Sequence, residues 1–176
     1  ALQDVGNTVL VSALAIVNDP LFRLTTRIDP LPAFAKVATV GSPTVTVDGD
    51  GIVRRSKLLS PGLSSFALQI VGKYLSAPER RVLSNLDLSK DVLINYLGPP
   101  RTINTVSYYQ ALDYERLLPP GIFQDKIVLV GRSLETIPEP QHLSGDTFLM
   151  PYSWVSGGAI AGVEIQATLV SNLLGT

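Results

Sequence analysis

The stretch Thr8 to Val17, TVLVSALAIV, constrains this chain most. Its ten residues are apolar almost without interruption, rather than in alternation. Half-covered strands alternate, whereas strands covered on both faces read as continuous apolar runs. The run is about half as long as a membrane-spanning helix requires. It therefore predicts a strand with packing on either side, which belongs to a layered α/β domain. Upstream, Asp4-Val5-Gly6-Asn7 reads like the end of a helix, where Gly and Asn tolerate the left-handed conformation. A chain that enters its first strand this way is expected to begin partway through a domain.

The order of the remaining elements is mixed. Asp19 to Pro43 reads as loop, with Pro20, Pro30, Pro32 and Pro43, and a short strand near Val37 to Val40. Val45-Thr46-Val47 and Ile52-Val53-Arg54-Arg55 flank Asp48-Gly49-Asp50-Gly51, which predicts a hairpin. Ser64 to Leu75 is the clearest helix: Phe66, Ile70 and Tyr74 share a face with Ala67 and Val71, opposite Ser65, Gln69 and Lys73. Val92 to Tyr96 predicts a short strand, and Ser107 with Gln110 a capping box opening a short helix to about Tyr114. Ile127 to Val130 predicts a compact buried strand ending at Gly131. Pro138 to Gly158 reads as irregular. Val163 to Leu174 predicts a final helix stopped by Gly175. Its narrow polar stripe (Glu164, Thr168, Ser171, Asn172) implies that most of it is buried. The fold class expected is α/β: a mixed sheet with packed helices in three layers, forming one domain over residues 1–176.

Composition excludes several function classes. Charged residues are 16% of the chain, against a usual ~25%. The 14 basic and 15 acidic residues nearly cancel, leaving a net charge of -1. A nucleic-acid surface or a polybasic membrane patch needs clustered positive charge. The chain has no cysteine and one histidine, His142. Thiol catalysis, zinc–thiolate sites and disulfides are thereby excluded, and no metal or other cofactor is expected.

Asp48-Gly49-Asp50-Gly51 lacks the acidic twelfth position of a calcium loop, where Leu59 stands, and reads as a hairpin turn. Arg54 and Arg55, neighbours on a strand, are expected to point to opposite faces and not to form one anion clamp. One of them is expected to hold a carboxylate of the turn. Gly131, Arg132 and Ser133 follow the expected buried strand, where open α/β sheets often bind ligands. With Asp146 they form the candidate ligand pocket. His142 and Asp146, four apart in a loop, have no nucleophile motif, which disfavours a hydrolase; metal binding by Glu139, His142 and Asp146 is equally disfavoured. Glu164 sits in the first turn of the last helix, where the helix dipole favours a carboxylate.

Three segments, in order, carry a family likeness. Asp50-Gly51-Ile52-Val53-Arg54-Arg55 leads to Ser65-Phe66-Ala67-Leu68. Ile94-Asn95-Tyr96-Leu97-Gly98-Pro99-Pro100 is followed by Thr105-Val106-Ser107-Tyr108. Phe123-Gln124-Asp125-Lys126-Ile127-Val128-Leu129-Val130-Gly131 precedes Asp146 and Gly162-Val163-Glu164-Ile165-Gln166-Ala167. Together they resemble the later part of a CHASE domain of the second type (cyclase/histidine-kinase-associated sensory extracellular). The chain departs from the family in reading Met150-Pro151 where Thr-Pro is usual after the Asp. It also lacks the family's opening strand and helix.

The resemblance implies an extracytoplasmic sensory module without catalysis of its own. It implies attachment to membrane spans and to a cytoplasmic output domain such as a nucleotide cyclase or protein kinase. The expected partners are a small-molecule or protein signal and a second copy in a homodimer, with no nucleic acid. Asp50, Gly51, Arg54 and Glu164 are then structural motif residues. An interaction module that only dimerises, favoured by the charge-poor last helix, is the alternative; a hydrolase is a third reading.

Overall fold

The computed structural model describes residues 6–18, 23–60, 62–132 and 146–175. The run from Thr8 to Val17 is not one strand but two. β1 (Val9–Val11) ends at Ser12, and β2 (Ala13–Asn18) turns away to pair antiparallel with β3 (Arg23–Ile28). After α1 (Pro32–Ala35), β4 (Thr39–Gly41) returns to lie parallel to β1, with Val9 opposite Thr39 and Val11 opposite Gly41.

Ser12 makes the break. Its N–H donates to the Gly41 carbonyl at 2.9 Å, and its hydroxyl donates to Asp29 Oδ1 at 2.6 Å. Arg27 Nε donates to both Ser12 Oγ and Asp29 Oδ1. A buried hydroxyl needs such partners, and here they come from the end of β3. Val11 and Leu14 are 44% and 45% exposed, so the apolar run is not covered on both faces. The segment read as loop thus contains β3 and α1, while the strand expected near Val37 to Val40 is β4.

The hairpin forms as expected. β5 (Val45–Val47) pairs with β6 (Val53–Lys57), with a register irregularity between Thr46 and Val47. The small hairpin of β7 (Leu59–Ser60) and β8 (Leu63–Ser64) leads into α2 (Phe66–Tyr74). Ser65, which the helical reading placed on a polar face, is instead the N-cap, its hydroxyl accepting the Leu68 N–H. Ala67, Ile70 and Val71 are buried, but Tyr74 is exposed. A 3-10 helix (Glu79–Asn85) precedes β9 (Asp91–Leu93), which adds to β6 antiparallel and makes β6 the centre of a three-stranded sheet. Next come α3 (Tyr108–Leu112), opened by the capping box of Ser107 and Gln110, and α4 (Tyr114–Leu117).

The described part of the stretch expected to be irregular contains β10 (Thr147–Phe148) and α5 (Ser153–Ser156). β10 pairs antiparallel with β11 (Ile160–Ala161), directly before the last helix, α6 (Gly162–Leu174). Gly175 stops α6 in the left-handed conformation, φ 75°. Gly6 is also left-handed, φ 65°; the helix expected to end there would fall on residues 1–5, which lie outside the described residues.

The fold is α/β, with several small sheets and packed helices. Its core lies where α2 and α6 pack together over β6: Val53, Ala67 and Val71 meet Ile165, Leu169 and Val170. Each buried Val, Ile or Leu among them contributes roughly 1.5–3 kcal/mol. Five of the thirteen residues of α6 are buried and the others half-buried, so the helix is less covered than expected, and its polar stripe is not a solvent face. Thr168 is 2% exposed. Its hydroxyl donates to the Glu164 carbonyl one turn back, so the residue can be buried without an unmet polar group.

Ile127 to Val130 departs furthest from expectation. Ile127 and Leu129 pack on the core, while Val128 and Val130 are 54% and 78% exposed. The segment pairs with no strand among the described residues. It alternates, so it is covered on one face, not two.

Candidate functional site

Gly131 ends that segment against the start of α6. A Cβ on Gly131 would lie 2.5 Å from Val163 Cβ, so only glycine allows this approach. Asp146 reaches the same helix end from the other side. Its carbonyl accepts the Gly162 N–H at 3.0 Å, and its carboxyl lies where a Cβ on Gly162 would overlap Oδ1. The fold therefore gathers Gly131 and Asp146 at the first turn of α6.

Asp146 is exposed as a residue, but its carboxyl leans on Gly162 and is partly desolvated. That burial raises its pKa above the ordinary 3.8, and the nearby charge of Arg132 opposes the rise. Burial disfavours the charged form, and an opposite charge favours it. Ser133, the fourth member of the candidate pocket, lies outside the described residues, as do Glu139 and His142.

Glu164 does more than complement a helix dipole. Its Oε1 accepts the backbone N–H of Arg101 at 2.7 Å, and Arg101 is held at φ 72°. Left-handed backbone is uncommon outside glycine, so this bond anchors the bend after Pro99 and Pro100 to the first turn of α6. No local signal announces the pairing; the two residues are 63 positions apart.

Farther along α6, Gln166 is 5% exposed and donates from Nε2 to the Pro43 carbonyl at 2.9 Å. Its Oε1 has no hydrogen-bond partner among the described residues. Asn172 bonds to the backbone of Asn95. Two loops thus attach to α6: residues 94–107 through Glu164 and Asn172, and the loop holding Pro43 through Gln166.

At the hairpin turn, Arg54 binds Asp50 with both terminal nitrogens, at 3.0 and 2.7 Å, and Asp48 at 2.9 Å. Arg55 also bonds Asp48. The expectation that the two arginines cannot share an anion is thus corrected. Both guanidinium groups converge on Asp48, because long side chains on a strand twisted by the neighbouring register shift both reach the turn. Arg54 and the Ile52 N–H lower Asp50 to about 2. Arg55 first, then Arg54, lowers Asp48. Gly51 supplies the φ of 82° that the turn requires. Both carboxylates of the turn are thus taken up by arginine.

Two clefts lie elsewhere. One, of about 510 Å³, is open and apolar, lined by Leu10, Val11, Ile28, Leu31 and Phe34. The other, of about 280 Å³, lies between β1, α2 and residues 126–128.

The CHASE2 domain family model matches residues 1–176. The chain belongs to the CHASE2 family. No curated protein and no solved structure matches it. CHASE2 domains are extracellular sensory domains of membrane receptors with cyclase- or kinase-type outputs. No described helix of this CHASE2 domain is long and apolar enough to cross a membrane.

Proposed function

We propose that residues 1–176 form one input unit of a bacterial transmembrane receptor, coupling an external signal to a cytoplasmic nucleotide cyclase or protein kinase. The unit performs no catalysis of its own. The signal acts at the start of α6, on Gly131, Arg132, Ser133 and Asp146. The observation that supports this is the gathering of Gly131 and Asp146 on the first turn of a helix to which two distant loops attach at three points. A ligand that prefers one packing of that turn shifts the position of the whole helix, and only such differential affinity can drive a switch.

Two measurements on the intact receptor test it. Reporter fusions after Thr176 should be active as alkaline phosphatase and silent as β-galactosidase; the opposite pattern refutes the extracytoplasmic placement. Arg132→Ala combined with Asp146→Ala should abolish the change in output on stimulation while leaving the protein in the membrane. An unaltered response removes the pocket.

The apolar surface supports homodimerisation as a second reading. Trp154 and Val155 on α5 are 81% and 88% exposed, and contiguous exposed apolar surface marks interaction sites. Sedimentation across concentration separates a monomer from a dimer.

A further inference from the structure

The backbone of residues 127–130 has no described hydrogen-bond partner. Ile127 and Leu129 pack on the core, yet no backbone hydrogen bond joins residues 127–131 to any described residue. Buried N–H and C=O groups are nearly all paired in folded proteins, whereas exposed ones such as those of Val128 and Val130 are left to water or to a partner. Natural edge strands are also usually guarded by charges, proline or a bulge. Ile127-Val128-Leu129-Val130 carries none of the first two.

β1 is in a related position, since β4 pairs with one of its sides and no described strand with the other. The two edges, neither paired among the described residues, line one cleft. Val9 of β1 and Ile127 and Val128 line the same cleft of about 280 Å³, floored by Phe66 and Ile70 of α2. Lys73 and Lys126 stand in its lining, which includes no acidic residue. The Lys73 ammonium donates to the Gly6 carbonyl at 3.0 Å, which leaves it further N–H donors for an anion.

We propose that this cleft is a strand-addition site for an extended segment of another protein. The segment alternates apolar side chains, which face Phe66 and Ile70, and carries an Asp or Glu that meets Lys73 and Lys126. Added between β1 and residues 127–130, it bonds to both free edges and joins them into one sheet. Backbone bonds of this kind supply affinity, while alternate side chains and charge supply selectivity. The proposal is independent of the Arg132 and Asp146 reading.

The test uses the 176-residue chain and a random seven-residue peptide library displayed on phage. Selection should enrich peptides that alternate apolar residues and carry a carboxylate. A synthetic peptide of the enriched sequence should slow amide hydrogen exchange at residues 127–131, which exchange fast in the free protein. Lys73→Glu with Lys126→Glu should weaken its binding at least about tenfold, with an unchanged melting temperature, while Lys57→Glu should not. No enrichment, or binding indifferent to the charge reversal, overturns the proposal. So does protection of residues 127–131 in the free monomer, which would mean pairing within the chain. Protection that grows with protein concentration overturns it in favour of a second copy.

Discussion

Asn95 and Asn172 exchange two hydrogen bonds: the Asn95 N–H donates to Asn172 Oδ1, and the Asn172 side-chain amide donates to the Asn95 carbonyl, each at 2.9 Å. One side chain thus replaces a rung of sheet between the continuation of β9 and the last helix. The site is reached by water, so each bond contributes only about 1 kcal/mol net. Asn172→Ala should lower stability by about 1–2 kcal/mol in urea denaturation. Asn172→Asp keeps the acceptor and loses the donor, and should fall between. An alanine variant as stable as the parent would show that the pair is incidental.

Two glycines respond oppositely to alanine. A Cβ on Gly41 would lie 2.6 Å from Phe66 Cα, an atom of helix backbone that cannot step aside. Gly41→Ala should therefore cost about 1–3 kcal/mol, the range for overpacking. Gly72, inside α2, has nothing within 4 Å of its Cβ direction. Gly72→Ala should stabilise by about 0.5–1 kcal/mol, because glycine is a poor helix former. Thermal unfolding of the pair checks both signs at once.

Legibility followed the range of the interaction. The hairpin around Asp48 to Gly51, the helix after Ser65 and the last helix were readable because turn chemistry, caps and periodicity act within a few residues. Thr8 to Val17 was misread because hydrophobicity does not show that Ser12 finds Asp29, 17 positions away. Ile127 to Val130 was misread because a short apolar run looks the same with one covered face as with two. Glu164 and Gly131 stand out in the sequence by their positions at a helix start and after an apolar run. Their partners, Arg101 and Val163, depend on how distant segments meet, which no local pattern encodes.

The hairpin turn should weaken in acid. Asp50 has a folded pKa of about 2 against an ordinary 3.8. An acid whose pKa is lowered by folding contributes stability above its unfolded value and loses it as pH falls through the folded one. The loss should therefore run from 3.8 down to about 2. Asp50→Asn should remove that part of the acid limb, so that its stability falls less steeply over the window. Identical slopes in parent and variant, measured by denaturant titration at each pH, would mean that the bonds to Arg54 do not persist in solution.

Asp146 carries the opposite sign. Its pKa is raised by partial burial against Gly162, with Arg132 opposing the rise. An acid raised by folding binds its proton more tightly folded than unfolded. Stability therefore declines as pH climbs from the ordinary 3.8 through the folded value, and stays reduced above it. Asp146→Asn should remove that decline and leave the protein at least as stable at neutral pH. Arg132→Ala should do the reverse: without the guanidinium, the ionised carboxylate beside Gly162 is less compensated, and the decline deepens. The two effects are coupled, because Arg132 matters here only while Asp146 is charged. In an Asp146→Asn background, Arg132→Ala should consequently have a smaller effect on stability than in the parent. A double-mutant cycle by thermal unfolding at neutral pH measures this coupling directly. Strict additivity would separate the two residues and dismantle the charge pair at the start of the last helix.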